Sequence, residues 1–233
     1  MKLSRRTFIT SAALAPVACG IPLSYERGTP VTAPKPLPVI RLPQVGQEWT
    51  YIKKDVFNGK TLDVITEQIA SVGQSIVINR ITADGGQLAS EIQGPWGIIK
   101  TDPQWSHLME FNSGLPLWPL ELSEKWSKQF DTKYAVAGYP DSKLYWQDYM
   151  SVQGWERVTV PAGEFIALRF QNLINYENSD PQKIDCIRKE TIWFAPQIGR
   201  WVAREASGSY QIQGQVGPVI LEGSYQWQLA SYK

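Results

Sequence analysis

Four carboxylates in the second half of the chain are the residues best suited to catalysis. Asp141, Asp148, Glu156 and Glu164 recur every seven or eight residues. Two such acids facing each other about 5–9.5 Å apart can cleave a glycosidic bond, one as the acid and the other as nucleophile or base. The sequence does not give their separation in space, and acids that alternate along strands usually lie on solvated faces. A glycan hydrolase with paired carboxylates is therefore an alternative interpretation of the chain.

Two other reactive side chains have weaker support. His107 follows Ser106, but no serine stands in the G-x-S-x-G turn of a hydrolase triad. Cys186 has Lys183 and Arg188 nearby, so it is either a low-pKa thiol or a small buried side chain. With one histidine and two cysteines, the chain has no usual ligand set for zinc or haem. We predict no catalytic residue, no metal and no cofactor.

The aromatic residues suggest binding more than catalysis. The chain has ten tryptophans and ten tyrosines, whose rings suit core edges, pocket walls and sugar-stacking surfaces alike. Some lie in Pro/Trp loops that would form the rim of a cleft or cover one end of a sheet. We predict a concave apolar pocket that holds a hydrophobic or glycan ligand or docks an envelope protein. Its predicted border comprises Trp96, Trp105, Trp118, Trp126 and Trp146.

The elements that position these residues are predicted to be strands. Side chains alternate with a period of two in several runs, most clearly from Ser224 to Leu229. Turn sequences separate the runs, namely Asn58-Gly59, Asp84-Gly85-Gly86, Val160-Pro161-Ala162-Gly163 and Ala195-Pro196-Gln197-Ile198-Gly199. Only the segment from Leu122 to Phe130, with Ser123 as its cap, favours a short helix. We predict an all-β fold with nine or ten strands in a single curved antiparallel sheet or half-barrel, with at most one or two short helices.

The N-terminus is typical of an exported lipoprotein. Residues 1–18 contain Ser4-Arg5-Arg6-Thr7-Phe8-Ile9, which matches a twin-arginine signal peptide. The apolar run that follows has about eleven residues, too few to span a bilayer. Cys19 follows Ala18 where a lipoprotein is cut and acylated, so Cys19 is the predicted lipid-attachment site. Ala13-Leu14-Ala15 offers an ordinary cleavage site instead, but it would leave Pro16 at the new N-terminus.

The rest of the chain divides into a tether and one domain. Residues 19–43 are rich in proline and are predicted to extend from the membrane, whereas residues 44–233 form a single β-rich domain. Removing Lys2, Arg5 and Arg6 leaves 20 basic against 22 acidic residues, which argues against a nucleic-acid partner. We predict a membrane-anchored protein on the periplasmic side of the cell envelope. Residue 20 is glycine and not the aspartate that would indicate retention at the inner membrane, so the outer membrane is slightly favoured.

Two stretches carry a resemblance to a protein family. Val160-Pro161-Ala162-Gly163-Glu164-Phe165 and Trp193-Phe194-Ala195-Pro196-Gln197-Ile198-Gly199 resemble the V-P-A-G-x-F and W-[YF]-A-P-x-[VI]-G motifs of uncharacterised bacterial envelope lipoproteins. Those proteins are similar in outline to the half-barrel of the lipoprotein localisation factors. The resemblance implies architecture and compartment, and it carries no catalytic residues. We therefore expect a non-enzymatic envelope lipoprotein that binds a hydrophobic or glycan ligand or an envelope partner; a structural or assembly lipoprotein without a ligand is a further alternative.

Overall fold

The protein is described by a computed structural model of residues 28–105 and 107–233. The predicted signal peptide and the predicted lipid-attachment site, Cys19, lie outside the described residues. The described residues form fourteen strands and one 3-10 turn, Pro196–Ile198. The strands are β1 (Gly28–Val31), β2 (Glu48–Asp55), β3 (Thr61–Val72), β4 (Ile76–Thr82), β5 (Gln87–Gln93), β6 (Ile98–Asp102), β7 (Met109–Pro116), β8 (Ser127–Val136), β9 (Tyr139–Val160), β10 (Gly163–Tyr176), β11 (Lys183–Ala195), β12 (Arg200–Ile212), β13 (Ile220–Leu221) and β14 (Tyr225–Tyr232). No helix in these two ranges is long and apolar enough to cross a membrane.

The all-β prediction is confirmed, and the predicted turns connect consecutive strands. Asn58-Gly59 joins β2 to β3, and Asp84-Gly85-Gly86 joins β4 to β5. The Val160–Gly163 turn joins β9 to β10, and the 3-10 turn at Pro196 joins β11 to β12. Every strand pair is antiparallel. The turn chemistry in the sequence therefore sets the hairpin order.

The half-barrel prediction is wrong, because the sheet closes on itself. Strands follow one another in the order β9, β10, β11, β12, β14, β2, β3, β4, β5, β6, β7, β8, and β8 pairs back onto β9. Closure depends on β9, which has 22 residues. Its first half pairs with β8 up to Ser151, and its second half pairs with β1 at Trp155–Val158. A bulge lies between these halves at Gly154. Gly154 has a φ of 127°, a backbone conformation that glycine adopts and other residues rarely do. Such a bulge bends a strand.

The predicted helix from Leu122 to Phe130 is also absent. Ser123 starts a tight turn in which its carbonyl accepts the N–H of Trp126 at 3.0 Å. β8 begins directly afterwards at Ser127, which pairs with Ser151 of β9. From Ser127 onwards, pairing with the long β9 satisfies the backbone of this segment, and that tertiary contact overrides a weak local helix preference.

The described part of the predicted tether lies on the barrel. β1 pairs with β9, and Val31, Ala33 and Ile40 pack against the apolar core. Arg41 donates its N–H to the Pro196 carbonyl at 2.8 Å. Its own carbonyl accepts the indole N–H of Trp96 at 3.0 Å. Residues 28–43 thus belong to the folded body, although their proline content is typical of an extended linker.

The interior contains charged residues between two apolar clusters. One cluster includes Trp49, Trp118 and Phe194, and the other includes Trp146 and Tyr176. Every second residue of β11 is buried, and the types change along the strand in the order Cys186, Arg188, Glu190, Ile192, Phe194. A barrel of this size therefore fills its middle with ion pairs rather than with hydrocarbon alone.

Candidate functional site

A cavity of about 380 Å³ lies at the end of the barrel where β11 begins. This volume falls in the lower part of the range of about 300–1,000 Å³ found for small-molecule sites. Side chains of seven barrel strands, β13 and three connecting segments line it. The lining residues are Lys53, Gln104, Trp105, His107, Met109, Tyr134, Val136, Tyr176, Asn178, Ser179, Lys183, Arg188, Gly208, Tyr210, Leu221, Glu222, Gly223 and Tyr225.

Three cations of the cavity wall each lie over an aromatic ring that also lines the cavity. The guanidinium carbon of Arg188 is 3.9 Å from the centroid of the Trp105 ring. Lys53 Nζ is 4.2 Å from the Tyr225 ring, and Lys183 Nζ is 4.4 Å from the Tyr210 ring. Such contacts hold the cations in place without neutralising their charge.

Glu190 accepts hydrogen bonds from Arg188 and from a second buried arginine, Arg204. Its Oε1 accepts a hydrogen bond from Arg188 Nε at 2.6 Å and another from Arg204 Nη2 at 2.8 Å. Burial alone would raise the pKa of Glu190, but the attraction of Arg204 and Arg188 outweighs it and lowers the pKa. Glu190 therefore stays ionised, and one carboxylate faces two buried cations.

Of the cations on the cavity wall, Arg188 and Lys53 have unsatisfied binding capacity among the described residues. Nη2 of Arg188 is buried and has no hydrogen-bond partner among the described residues. Lys53 makes no ion pair in the described part of the chain. Burial lowers the pKa of Lys53, and repulsion by Arg188, Arg80 and Arg204 lowers it further. Among the described residues, the cavity wall thus carries the charges of Lys53, Lys183 and Arg188 and one carboxylate, Glu222.

The opposite wall carries Glu222, which already has partners. Its Oε1 lies 3.5 Å from Lys183 Nζ, and its Oε2 accepts a hydrogen bond from the Tyr176 hydroxyl at 3.4 Å. Glu222 is the one carboxylate on the cavity wall among the described residues. Cys186 lies nearby, where burial and then Glu222 raise the pKa of its thiol to about 11. The thiol is accordingly protonated at neutral pH, which fits a buried structural cysteine better than a nucleophile.

A second group of charges lies deeper in the barrel, around Arg200. Its guanidinium donates to Glu67 Oε2 at 2.7 Å and to Glu91 Oε2 at 2.7 Å, and its side chain is 1% exposed. Arg80 Nε lies 3.7 Å from Glu67 Oε1. Gln104, which lines the cavity, donates to the same Glu67 oxygen at 2.9 Å. Gln104 therefore links the cavity wall to this deeper network.

Two buried aspartates lie near these charges, Asp102 near Arg204 and Asp148 near Glu190. Asp102 accepts the indole N–H of Trp105 at 3.0 Å and so orients that ring. Burial raises the pKa of Asp102, although Arg204 opposes the shift. Asp148 is 4% exposed, its Oδ1 has no partner among the described residues, and burial followed by repulsion from Glu190 raises its pKa well above the usual range. Asp148 thus favours its neutral form.

The structure distributes the five predicted tryptophans between the two ends of the barrel. Trp105 lines the cavity, and Trp146 lies behind it, with the ring centroids 5.0 Å apart. Trp96, Trp118 and Trp126 belong to the other apolar cluster. Trp118 is buried against Phe194, with ring centroids 4.7 Å apart. The structure therefore brings only one of the five to the cavity surface.

The four acids proposed for hydrolysis do not meet in the cavity. Asp141 is exposed, and Glu164 pairs with Arg157 on the surface at 3.3 Å. Glu156 is buried and accepts the indole N–H of Trp193 at 2.6 Å and a hydrogen bond from Arg169 at 3.0 Å. None of the four lines the cavity. In residues 28–105 and 107–233, no group of three or more His, Cys, Asp or Glu side chains is arranged to hold a metal ion.

Sequence reasoning missed most residues of this site. Arg188, Glu190 and Arg204 are charged residues in strands that otherwise carry apolar side chains on their buried face. Arg188 and Glu190 lie two residues apart in the same alternation as Ile192 and Phe194, and this spacing could have indicated that they face the interior. The cavity tyrosines and Lys53 come from strands far apart in sequence, so no local pattern groups them.

Comparison with solved structures identifies other proteins with this fold. A predicted lipoprotein from Parabacteroides distasonis superposes with a TM-score of 0.53 at 13% identity, over 82% of this chain and 96% of that one. A predicted exported protein with a YmcC-like fold from Bacteroides fragilis gives a TM-score of 0.51 at 14% identity, over 84% and 99% of the two chains. No model of a known protein family matches this sequence, and no curated protein matches it. The likeness at this identity concerns the fold.

Proposed function

We propose that this chain is a non-enzymatic lipoprotein of the bacterial cell envelope that binds a small polar ligand of the glycan class in the barrel-end cavity. The observation that carries the proposal is the wall of the cavity itself, where Trp105, Tyr210 and Tyr225 lie beside charged side chains. Ring faces stack on sugar rings, and the polar groups among them would bind hydroxyls. An acyl chain would leave the buried charges of this wall without solvent or partners, so a purely hydrophobic ligand fits less well.

The envelope location in this proposal has two independent supports. The first is the twin-arginine signal and Cys19 in the sequence. The second is the shared fold with proteins described as a predicted lipoprotein and a predicted exported protein. We expect palmitate to label the wild-type protein and not the Cys19→Ala variant. A wild-type protein that stays in the cytosol with its leader intact would contradict this part of the proposal.

The hydrolase alternative has less support. Retaining and inverting glycosidases both need two carboxyl groups across a cleft. Glu222 is the one carboxylate on this cavity wall within the described ranges, and it is paired with Lys183. A structural role without a ligand does not account for buried arginine nitrogens on a cavity wall.

Native mass spectrometry of the protein purified from its own envelope tests the ligand. We expect a bound saccharide to leave on denaturation and to be missing from Ser179→Trp, which places a large side chain at an exposed lining position. The matched control is Gln182→Trp, an exposed position of the same loop that does not line the cavity. A ligand retained equally by both variants, or an exclusively apolar one, would contradict the proposal.

A further inference from the structure

We propose that the ligand carries an anionic group, a carboxylate or a phosphate, that is recognised by Arg188 and Lys53. This inference rests on the proposed function of the cavity as a binding site, and it assigns the chemistry that the site selects.

The first support is the unfinished hydrogen bonding of Arg188. Its side chain is 9% exposed, its Nε donates a hydrogen bond to Glu190 at 2.6 Å, and its Nη2 is buried without a partner among the described residues. Trp105 covers the face of the guanidinium. The edge of a guanidinium is the part that matches the oxygens of a carboxylate or phosphate. Arg188 thus lines the cavity with one terminal nitrogen that has no partner among the described residues, and Glu190 and Trp105 hold its guanidinium in position.

The second support is the charge around Lys53. Its ammonium lies over Tyr225 and Trp227, at 4.2 and 5.3 Å from their ring centroids, and it forms no close ion pair with any described residue. Arg188 and Arg80 repel it, and Asp63, which stands opposite Lys53 on β3, attracts it less strongly than either arginine repels it. A bound anion would offset this repulsion, because it would attract both Lys53 and the arginines.

The third support is the state of the acids that would otherwise neutralise these cations. Glu190 is shared between Arg188 and Arg204, and Glu222 is held by Lys183. Asp148 favours its neutral form, and Asp102 is engaged by Trp105 and Gln104. Asp63 attracts Lys53 from outside the cavity wall, and no carboxylate of the described residues binds the free nitrogen of Arg188.

The aromatic wall sets what the anion is attached to. Rings that line the cavity suit the flat face of a sugar. An acidic sugar, a sugar phosphate and the phosphorylated headgroup of a lipid all combine these features. They share one chemistry, an anionic oxygen cluster next to hydroxyls, and the experiment distinguishes them.

Calorimetric titration of the purified full-length mature protein with four probes tests the inference. The probes are D-glucuronate, D-glucose 6-phosphate, glycerol 3-phosphate and neutral D-glucose. We expect at least one anionic probe to bind roughly tenfold or more tightly than glucose, which corresponds to a charge-assisted hydrogen bond. Preference for glucuronate would identify a carboxylated sugar, and preference for glucose 6-phosphate a phosphosugar. Equal binding of glycerol 3-phosphate and glucose 6-phosphate would identify a lipid headgroup.

Lys53→Gln provides the decisive variant, because Lys53 forms no close ion pair within residues 28–105 and 107–233 whose loss would disturb folding. We expect this change to reduce the preference for the anionic probe by roughly tenfold. Arg188→Gln should abolish the preference, with Arg204 left to pair with Glu190. The matched control is Lys54→Gln, the next residue of β2, which does not line the cavity and should bind like the wild type.

Three results would overturn the inference. They are equal binding of glucose and the anionic probes, no binding of any anionic probe, and an unchanged preference in Lys53→Gln. Glucose binding without an anion preference would leave the proposed function intact. Failure of all four probes, together with an empty cavity by native mass spectrometry, would remove both.

Discussion

The guanidinium of Arg200 donates two hydrogen bonds to one oxygen of Glu67, from Nε at 3.2 Å and from Nη2 at 2.7 Å. The two residues are 133 positions apart in the chain, and their contact joins β12 to β3 across the inside of the barrel. Glu91 of β5 binds the same guanidinium. One cation therefore fixes the relative position of three strands that do not neighbour each other.

Arg200→Met should lower the free energy of unfolding by about 3–5 kcal/mol, because it leaves Glu67 and Glu91 buried without their shared cation. Chemical denaturation measures the change. The control is Arg157→Met, since Arg157 pairs with Glu164 at the surface with 54% and 55% of the side chains exposed, and such a pair contributes about 0–1 kcal/mol. Equal effects of the two substitutions would contradict the central role of Arg200.

Asp148→Asn should stabilise the protein at neutral pH. The pKa of Asp148 is raised in the folded state, so the unfolded chain releases its proton first as the pH rises. Stability contributed by Asp148 is fully present below the unfolded pKa of about 3.9 and falls by about 1.4 kcal/mol per pH unit until the folded pKa is reached. Asparagine cannot ionise and removes this loss.

The measurement is denaturation of both proteins at several pH values between about 4 and 8. The advantage of the variant should grow with pH and disappear near the acidic end. Parallel stability curves for the wild type and Asp148→Asn would show that Asp148 ionises at an ordinary pH.

Trp105→Ala and Trp118→Ala should separate binding from stability. Trp105 lines the cavity, so its removal should abolish ligand retention in native mass spectrometry with a modest loss of stability. Trp118 is 5% exposed in the other cluster, and its truncation should cost about 3–5 kcal/mol while the cavity keeps its lining. Loss of ligand from Trp118→Ala at a temperature where the variant is folded would place the binding site elsewhere.

Gly163→Val should destabilise the β9–β10 hairpin. Gly163 has a φ of 128°, a conformation that is costly for a β-branched residue by about 1–3 kcal/mol, and no neighbouring atom lies within 4 Å of an added Cβ. The cost is therefore backbone strain without a clash. Gly73→Val is the control, because Gly73 has equal space and no positive φ. Equal melting temperatures of the two variants would contradict this reading of the V-P-A-G turn.

Local sequence patterns predicted the strands and turns, but they could not predict closure of the sheet. Alternation and turn chemistry act over a few residues, and they located β14 together with four connecting turns. Closure depends on the pairing of β8 with the first half of β9, which is a property of the completed sheet. The prediction of a short helix at Leu122 failed for the same reason.

The candidate site was predictable only in part. An aromatic-lined binding site was a reasonable expectation from composition, yet composition could not separate the ring at the cavity surface from those that pack the core. Trp105 and Trp118 look alike in the sequence, and only their positions in the barrel distinguish them. The interior arginines went unrecognised because charged residues in strands are usually assigned to a wet face.

The docking of β1 has a consequence for how the protein would stand on a membrane. Gly28 pairs with Val158, close to the hairpin that joins the ends of β9 and β10 remote from Trp146 and Tyr176. Eight residues separate Gly28 from Cys19, a reach of at most about 30 Å. With an acyl anchor on Cys19, the end of the barrel that carries the β9–β10 hairpin would face the membrane. The cavity, at the other end, would face away from it. A ligand of the cavity would then reach it by diffusion from the aqueous space and not directly from the membrane.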